Sequence, residues 1–161
     1  MNIPAERPPQ PSAQKRRALP PRYFAAALAA SVVLALVVPG PQILPYPWSL
    51  LGLVPLLLGA GLNLVADRQF KIAGTTVKPF EPSQRLITDG VYGVSRNPMY
   101  LGMVSILAGA AMLLGVLTPW IVVPLFAAVI QRVFIRPEEA MLQERFPQEW
   151  RSYAGRVRQW I

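Results

Sequence analysis

Four long apolar runs, separated by polar or turn-forming segments, organise this chain of 161 residues. Residues 23–38, 48–66 and 99–117 carry no charge, and residues 119–135 carry only Arg132, near their end. At about 1.5 Å per residue such runs reach ~24 to ~28 Å, against a hydrocarbon core of about 30 Å. They predict four transmembrane helices, the first and last short enough to lean on interfacial residues, with Arg132 snorkelling to the headgroups. Pro55 and Pro124 fall inside runs and are expected to bend them. Thr118-Pro119 leaves room only for a tight turn, so the third and fourth helices form an antiparallel hairpin. Gly102, Ser105 and Gly109 share one side of the third helix, a face for close helix packing. Asn63, near the end of the second run, is expected to bond across to another helix, with a pocket contact as the second role.

The polar segments set the rest. Residues 1–22 are Pro-rich and basic and read as a disordered arm. The Lys15-Arg16-Arg17 cluster precedes an apolar run that ends without a small-residue cleavage site, which disfavours a signal peptide. Residues 67–97 form a loop that is long for a mere connector. It ends in Arg96-Asn97-Pro98, where Asn97 is placed to cap the third helix and Pro98 fits its first turn. A second helix start is expected at Arg136-Pro137-Glu138-Glu139, whose carboxylates suit the helix dipole. Beyond it Leu142, Phe146, Trp150 and Tyr153 make one apolar stripe broken by Pro147. This predicts two short amphipathic helices over residues 137–155, lying at the interface or folded back over the loop. The expected fold is an all-α integral membrane protein, with a single membrane domain over residues 23–161.

Charge adds orientation. Hydrophobic residues make up 53% of the chain and charged ones 15%, with mean hydropathy +0.35, so lipid is the main solvent. Five of the 16 Lys and Arg precede the first run, five lie in the middle loop and six follow from Arg132. Neither of the other two connections carries a charge. The positive-inside rule then puts both termini and the loop in the cytoplasm, at the inner membrane if the source is a bacterium. The net charge of +8, spread beside the spans, points to anionic lipid rather than nucleic acid.

The chain has no Cys and no His. That excludes disulfides, thiolate nucleophiles, imidazole catalysis and Cys or His metal sites; no metal is expected. The loop, the Arg-Asn-Pro entrance and the Glu-Glu helix converge on one surface, where carboxylates among aromatic rings suit a cationic ligand.

These residues resemble the isoprenylcysteine carboxyl methyltransferase and phospholipid methyltransferase superfamily. Its Arg-His-Pro-x-Tyr-x-Gly segment reads here Arg96-Asn97-Pro98-Met99-Tyr100-Leu101-Gly102, and its Glu-Glu pair is Glu138-Glu139. The tail Phe146-Pro147-Gln148-Glu149-Trp150-Arg151-Ser152-Tyr153 resembles Phe-Gly-x-x-Tyr-x-x-Tyr, and Leu86-Ile87-Thr88-Asp89-Gly90-Val91-Tyr92 resembles Leu-Val-Thr-x-Gly-x-Tyr. Asn97 replaces the family's His, Pro147 a Gly and Trp150 a Tyr. The resemblance runs from about Gly74 to Ile161 and implies transfer of a methyl group from S-adenosylmethionine to a lipophilic acceptor reached from the membrane. Acceptors in view are an isoprenylcysteine-like carboxylate, a phospholipid amine or another small lipophile. By position, cofactor contacts fall on Val77, Gln84, Arg85, Leu86, Ile87, Tyr92, Asn97, Pro98, Met99, Tyr100 and Glu138. Arg132, Arg136 and Glu139 fall on the catalytic and substrate side. The competing expectations are a sterol-reductase-like enzyme using a nicotinamide cofactor, and a non-catalytic membrane scaffold or transporter subunit.

Overall fold

The computed structural model describes residues 19–73 and 86–161. Most of the expected N-terminal arm, and Val77, Gln84 and Arg85 in the loop, lie outside these residues. The described residues are all helical, apart from turns and an isolated bridge between Gln42 and Val116. Six α-helices follow in order: α1 Pro20–Val37, α2 Leu53–Ile72, α3 Pro98–Leu114, α4 Pro119–Ile130, α5 Arg136–Arg145 and α6 Pro147–Arg156. Among the described residues three helical stretches are long and apolar enough to cross a membrane: Pro20–Val37, Trp48–Ile72 and Pro119–Arg145. The helix Pro98–Leu114 is apolar but shorter, at 17 residues.

Boundaries shift for physical reasons. α1 starts at Pro20, so the expected arm gives up its last residues to a helix that a proline opens. α2 runs on to Ile72, past the expected end at residue 66, and Lys71 pairs with Asp67 one turn back at 2.6 Å. Such spacing along a helix lets opposite charges meet. Pro55 sits in the first turn of α2, where its missing N–H leaves no bond unmade, while Pro124 stands inside α4. The expected helix start at Arg136 is instead a continuation. Gln131–Ile135 form a π-turn, closed by the Arg136 N–H on the Gln131 carbonyl, which joins α4 to α5. Pro137 has no N–H to give and its ring crowds the preceding turn, and the wider turn accommodates it.

Helices α2 and α3 pack most closely. Antiparallel glycines face each other in two layers, Gly52 against Gly109 and Gly59 against Gly102. A Cβ at Gly59 would lie 2.5 Å from the Gly102 carbonyl oxygen, and one at Gly109 equally close to that of Gly52. Backbone therefore meets backbone, as small residues permit. The expected small-residue face of α3 is thus in use. Asn63 departs from expectation: its amide donates to the Gly59 carbonyl one turn back on its own helix, at 3.0 Å, and its side chain lies against Gly102. With no side chain at Gly102 to bond, the amide turns to its own backbone.

On the other side of α3 a core of Tyr100, Leu107, Val122, Phe126, Ile130, Phe134 and Ile135 packs against α1. Tyr23 meets Phe134 edge-on at 5.4 Å, and Phe24 meets Phe126 at 6.0 Å. Leu36, Leu58, Leu64, Ile121 and Leu125 face outward, an apolar girdle suited to lipid.

The two uncharged connections meet at one end of the bundle. Gly115 takes the left-handed conformation that ends α3. It offers its carbonyl to the N–H groups of Ile43 and Leu44 at 2.9 and 3.0 Å. Thr118 Oγ1 donates to the carbonyl of Pro39 at 3.2 Å. Charged groups collect at the opposite end.

Candidate functional site

At that charged end Glu139 of α5 gathers two segments, the entrance of α3 and the C-terminal tail. Arg96 Nε donates to its Oε1 at 3.1 Å, Asn97 Nδ2 to the same oxygen at 3.2 Å, and Gln159 Nε2 to Oε2 at 2.7 Å. The Arg96–Glu139 pair is largely buried, with side chains 15% and 17% exposed. Arg96 also donates to the carbonyls of Ala154 and Val157. Its guanidinium lies 5.5 Å from the Trp150 ring centroid, within reach of the ring's negative face. The arginine thus ties the start of α3 to both α5 and α6.

Asn97 stands where a cap is expected, yet its side chain does not cap α3. Its Nδ2 serves Glu139 and the Gln159 carbonyl instead, and its backbone N–H donates to Ser95 Oγ at 3.1 Å. These two donated bonds fix the plane of the Asn97 amide, and in that orientation its Oδ1 accepts no N–H of the first turn of α3.

Glu138, the neighbour of Glu139, faces α3. It accepts from the Tyr100 hydroxyl at 2.8 Å through Oε1, and among the described residues its other oxygen has no bond. The two carboxylates therefore differ in kind: Glu139 is used up inside the fold, whereas Glu138 keeps an acceptor in reserve.

Tyr92 supplies the third side. It lies in a short 3-10 turn, Gly90–Gly93, that α2 holds through Gln69, whose Oε1 accepts from the Val91 N–H at 3.3 Å. The Phe70 ring meets Tyr92 edge-on at 5.3 Å, and the Tyr153 hydroxyl donates to the Tyr92 carbonyl at 2.7 Å. Tyr92 is 6% exposed, and its own hydroxyl is buried with no hydrogen-bond partner among the described residues. An unpaired buried hydroxyl costs about 1–3 kcal/mol, so a ligand atom that accepted from it would recover that cost. Burial pushes this phenol well above its ordinary range, and the charges of Tyr153, Glu138 and Asp67 push the same way. Low dielectric and nearby negative charge both disfavour the phenolate. It is a donor, not a base. Burial likewise raises Tyr153 to about 12, against the pull of Arg96.

Of the residues singled out from sequence, Tyr92, Asn97, Tyr100, Glu138 and Glu139 come together here. Pro98 is buried at the start of α3, and Met99 is half-buried beside it. Leu86 packs on the Trp150, Tyr153 and Val157 cluster together with Leu142, so α6 folds back over the loop's end. Ile87 is half-buried, while Arg132 and Arg136 are exposed and outside the hydrogen-bonded network. Gln131, Gln159 and Trp160 join the site without any motif to announce them. The Trp160 Nε1 donates to Gln131 Oε1 at 3.1 Å and Gln131 Nε2 to Gln159 Oε1 at 2.7 Å. No local pattern marks these residues, because their contacts reach across the whole C-terminal segment.

The residues present fit a cationic, hydrogen-bonding ligand such as S-adenosylmethionine: among the described residues, a carboxylate with one oxygen unbonded and, within reach of its charge, a buried hydroxyl lacking a partner. Comparison with known proteins bears on the same region. An uncharacterised protein of Haemophilus influenzae is 36% identical over 63 residues, which are 39% of this chain and all of that protein. No solved structure matches significantly. The phospholipid methyltransferase family model (PEMT) matches residues 48–149, from the start of the glycine-paired helices through Tyr92, Tyr100, Glu138 and Glu139. The chain belongs to the phospholipid methyltransferase family.

Proposed function

We propose that this protein is an integral-membrane methyltransferase that transfers a methyl group from S-adenosylmethionine to a lipophilic acceptor. The observation that carries the reading is an oxygen of Glu138 and a Tyr92 hydroxyl, close enough to feel each other's charge, that both lack a partner among the described residues. The family match supports methyl transfer over nicotinamide reduction or a scaffold role. We take Pro98–Leu114 as a fourth span, since this apolar helix pairs antiparallel with α2 along its length. A helix of that length comes close to the thickness of the hydrocarbon core, and interfacial residues make up the rest. Both termini then face the cytoplasm with the site.

When bound, S-adenosylmethionine supplies a methyl group on a sulfonium; the acceptor's lone pair forms the new bond and the old bond's electrons stay on sulfur. Glu138 offsets the donor's positive charge, and Tyr100 fixes the carboxylate's direction through its hydroxyl. Tyr92 donates a hydrogen bond to a polar atom of the donor. Leu86, Ile87, Asn97, Pro98 and Met99 wall this side, and Val77, Gln84 and Arg85 are assigned to the same pocket from the family motif. Glu139 acts through its neighbours, keeping α5 against the Arg96-Asn97 entrance. Arg132 and Arg136 are exposed, and in this reading they meet an anionic group of the acceptor at the membrane surface. Holding reactants in line supplies ~7–11 kcal/mol in favourable cases, so positioning alone accounts for much of the rate.

Purified protein incubated with methyl-labelled S-adenosylmethionine and total membrane lipid should place label in the organic phase. The mass of the labelled product then separates an ester from an N-methylated headgroup. Absence of labelled product from lipid and from isoprenylcysteine analogues alike would contradict the assignment.

A further inference from the structure

The C-terminal segment from Val157 to Ile161 lies beyond the stretch that matches the family, yet it carries a residue, Gln159, that bonds to the site through both its side chain and its backbone. Gln159 uses every polar group of its side chain. Its Nε2 donates to Glu139 Oε2 at 2.7 Å, and its Oε1 accepts from Gln131 Nε2 at 2.7 Å. Its backbone carbonyl accepts from Asn97 Nδ2 at 3.2 Å and Ser95 Oγ at 3.4 Å. Its neighbours fasten the same segment: the Arg158 carbonyl accepts from the Arg96 N–H at 3.0 Å, and Trp160 bonds Gln131. One glutamine thus bridges the π-turn, α5 and the entrance of α3. The π-turn matters because α4 and α5 are one continuous helix there. A change in its winding would rotate Glu138 about the helix axis, away from Tyr100. Gln131 is the residue whose carbonyl closes that turn.

We propose that Gln159 is a positioning residue: it locks the π-turn and α5 against the α3 entrance, so that Glu138 is presented to the ligand. This rests on the proposed function only for the identity of the ligand; the lock itself is a property of the free protein.

The test uses the full chain in detergent, comparing wild type, Gln159→Met and Gln159→Glu. Hydrogen exchange is read by mass spectrometry, and S-adenosylmethionine affinity by titration. Gln159→Met keeps the length and removes both hydrogen bonds. Exchange should rise about tenfold or more across α5, with α2 unchanged, and the donor's Kd should rise about tenfold, a loss of one hydrogen bond's order. Gln159→Glu sets a carboxylate against Glu139 Oε2. Two carboxylates that close share a proton on acidification, which restores a donor between them. Arg96 faces this pair from the α3 entrance, Glu138 is the next charge on α5, and Asn97 and Gln131 are uncharged partners. Exchange in Gln159→Glu, compared with wild type at the same pH, should therefore return toward the wild-type level as pH falls from about 8 to about 5, while Gln159→Met stays impaired. Unchanged α5 exchange in both variants overturns the lock. Raised exchange with unchanged donor affinity overturns its role in presenting Glu138. If wild type binds no donor, the proposed function falls, and the exchange arm still decides the lock.

Discussion

Glu139→Ala should destabilise the folded protein by about 3 kcal/mol, the cost of stranding one partner of a largely buried ion pair. Arg96 Nε and Gln159 Nε2 would lose their acceptor, and Asn97 Nδ2 one of two. Arg96 keeps the carbonyls of Ala154 and Val157, which holds the cost at the lower end of the range for such pairs. Glu139→Gln keeps an acceptor for Arg96 and Asn97 but turns an NH2 toward the Gln159 Nε2 donor, and should cost roughly 2 kcal/mol. Denaturant midpoints in detergent, followed by tryptophan fluorescence, check the order. Equal midpoints for wild type and Glu139→Ala would remove this carboxylate from the framework.

A second large effect is expected from the helix pair. In Gly102→Val the new Cβ would lie 2.7 Å from the Gly59 carbonyl oxygen and closer still to the Asn63 amide. Backbone cannot step aside as a side chain does, so α2 and α3 must part. Overpacking of this kind costs about 1–3 kcal/mol or more. Gly61→Val is the matched control: nothing lies within 4 Å of its added Cβ, and it should leave stability nearly unchanged. Measured side by side, Gly102→Val should show a clearly lowered midpoint. Equal midpoints would mean that the close approach of α2 and α3 contributes nothing.

Much of this architecture is legible in the chain because lipid imposes a simple rule. Each apolar run must bury its backbone bonds in a helix, and Pro147 has to split the tail. The glycine face of α3 is readable from spacing. Its partners Gly52 and Gly59 are readable too, since they repeat the interval that separates Gly102 from Gly109. Two kinds of feature escape. Asn97 has the sequence of a cap, but its amide is oriented by bonds donated to distant partners, and only the fold brings Glu139 within reach. Pro137 reads as a helix start, whereas a π-turn lets one helix continue through it. The Gln159 hub is a matter of long-range contact, to Glu139 on α5 and to Asn97 far back along the chain, which no local pattern encodes. For the site, the motif names Tyr92, Tyr100, Glu138 and Glu139 together. That Glu139 is consumed by the fold while Glu138 keeps an oxygen open is visible only in three dimensions.

The central claim is that Glu138 and Tyr92 hold S-adenosylmethionine, and calorimetric titration of the purified protein tests it most directly. Wild type should bind the donor saturably. Glu138→Ala should weaken binding about 10- to 100-fold, the loss of a charge-assisted hydrogen bond worth ~1.5–3 kcal/mol. Tyr92→Phe should weaken it less and leave the fold at least as stable, because the hydroxyl it removes has no partner among the described residues. Absence of saturable binding to wild type, or equal affinity in Glu138→Ala, would contradict the account.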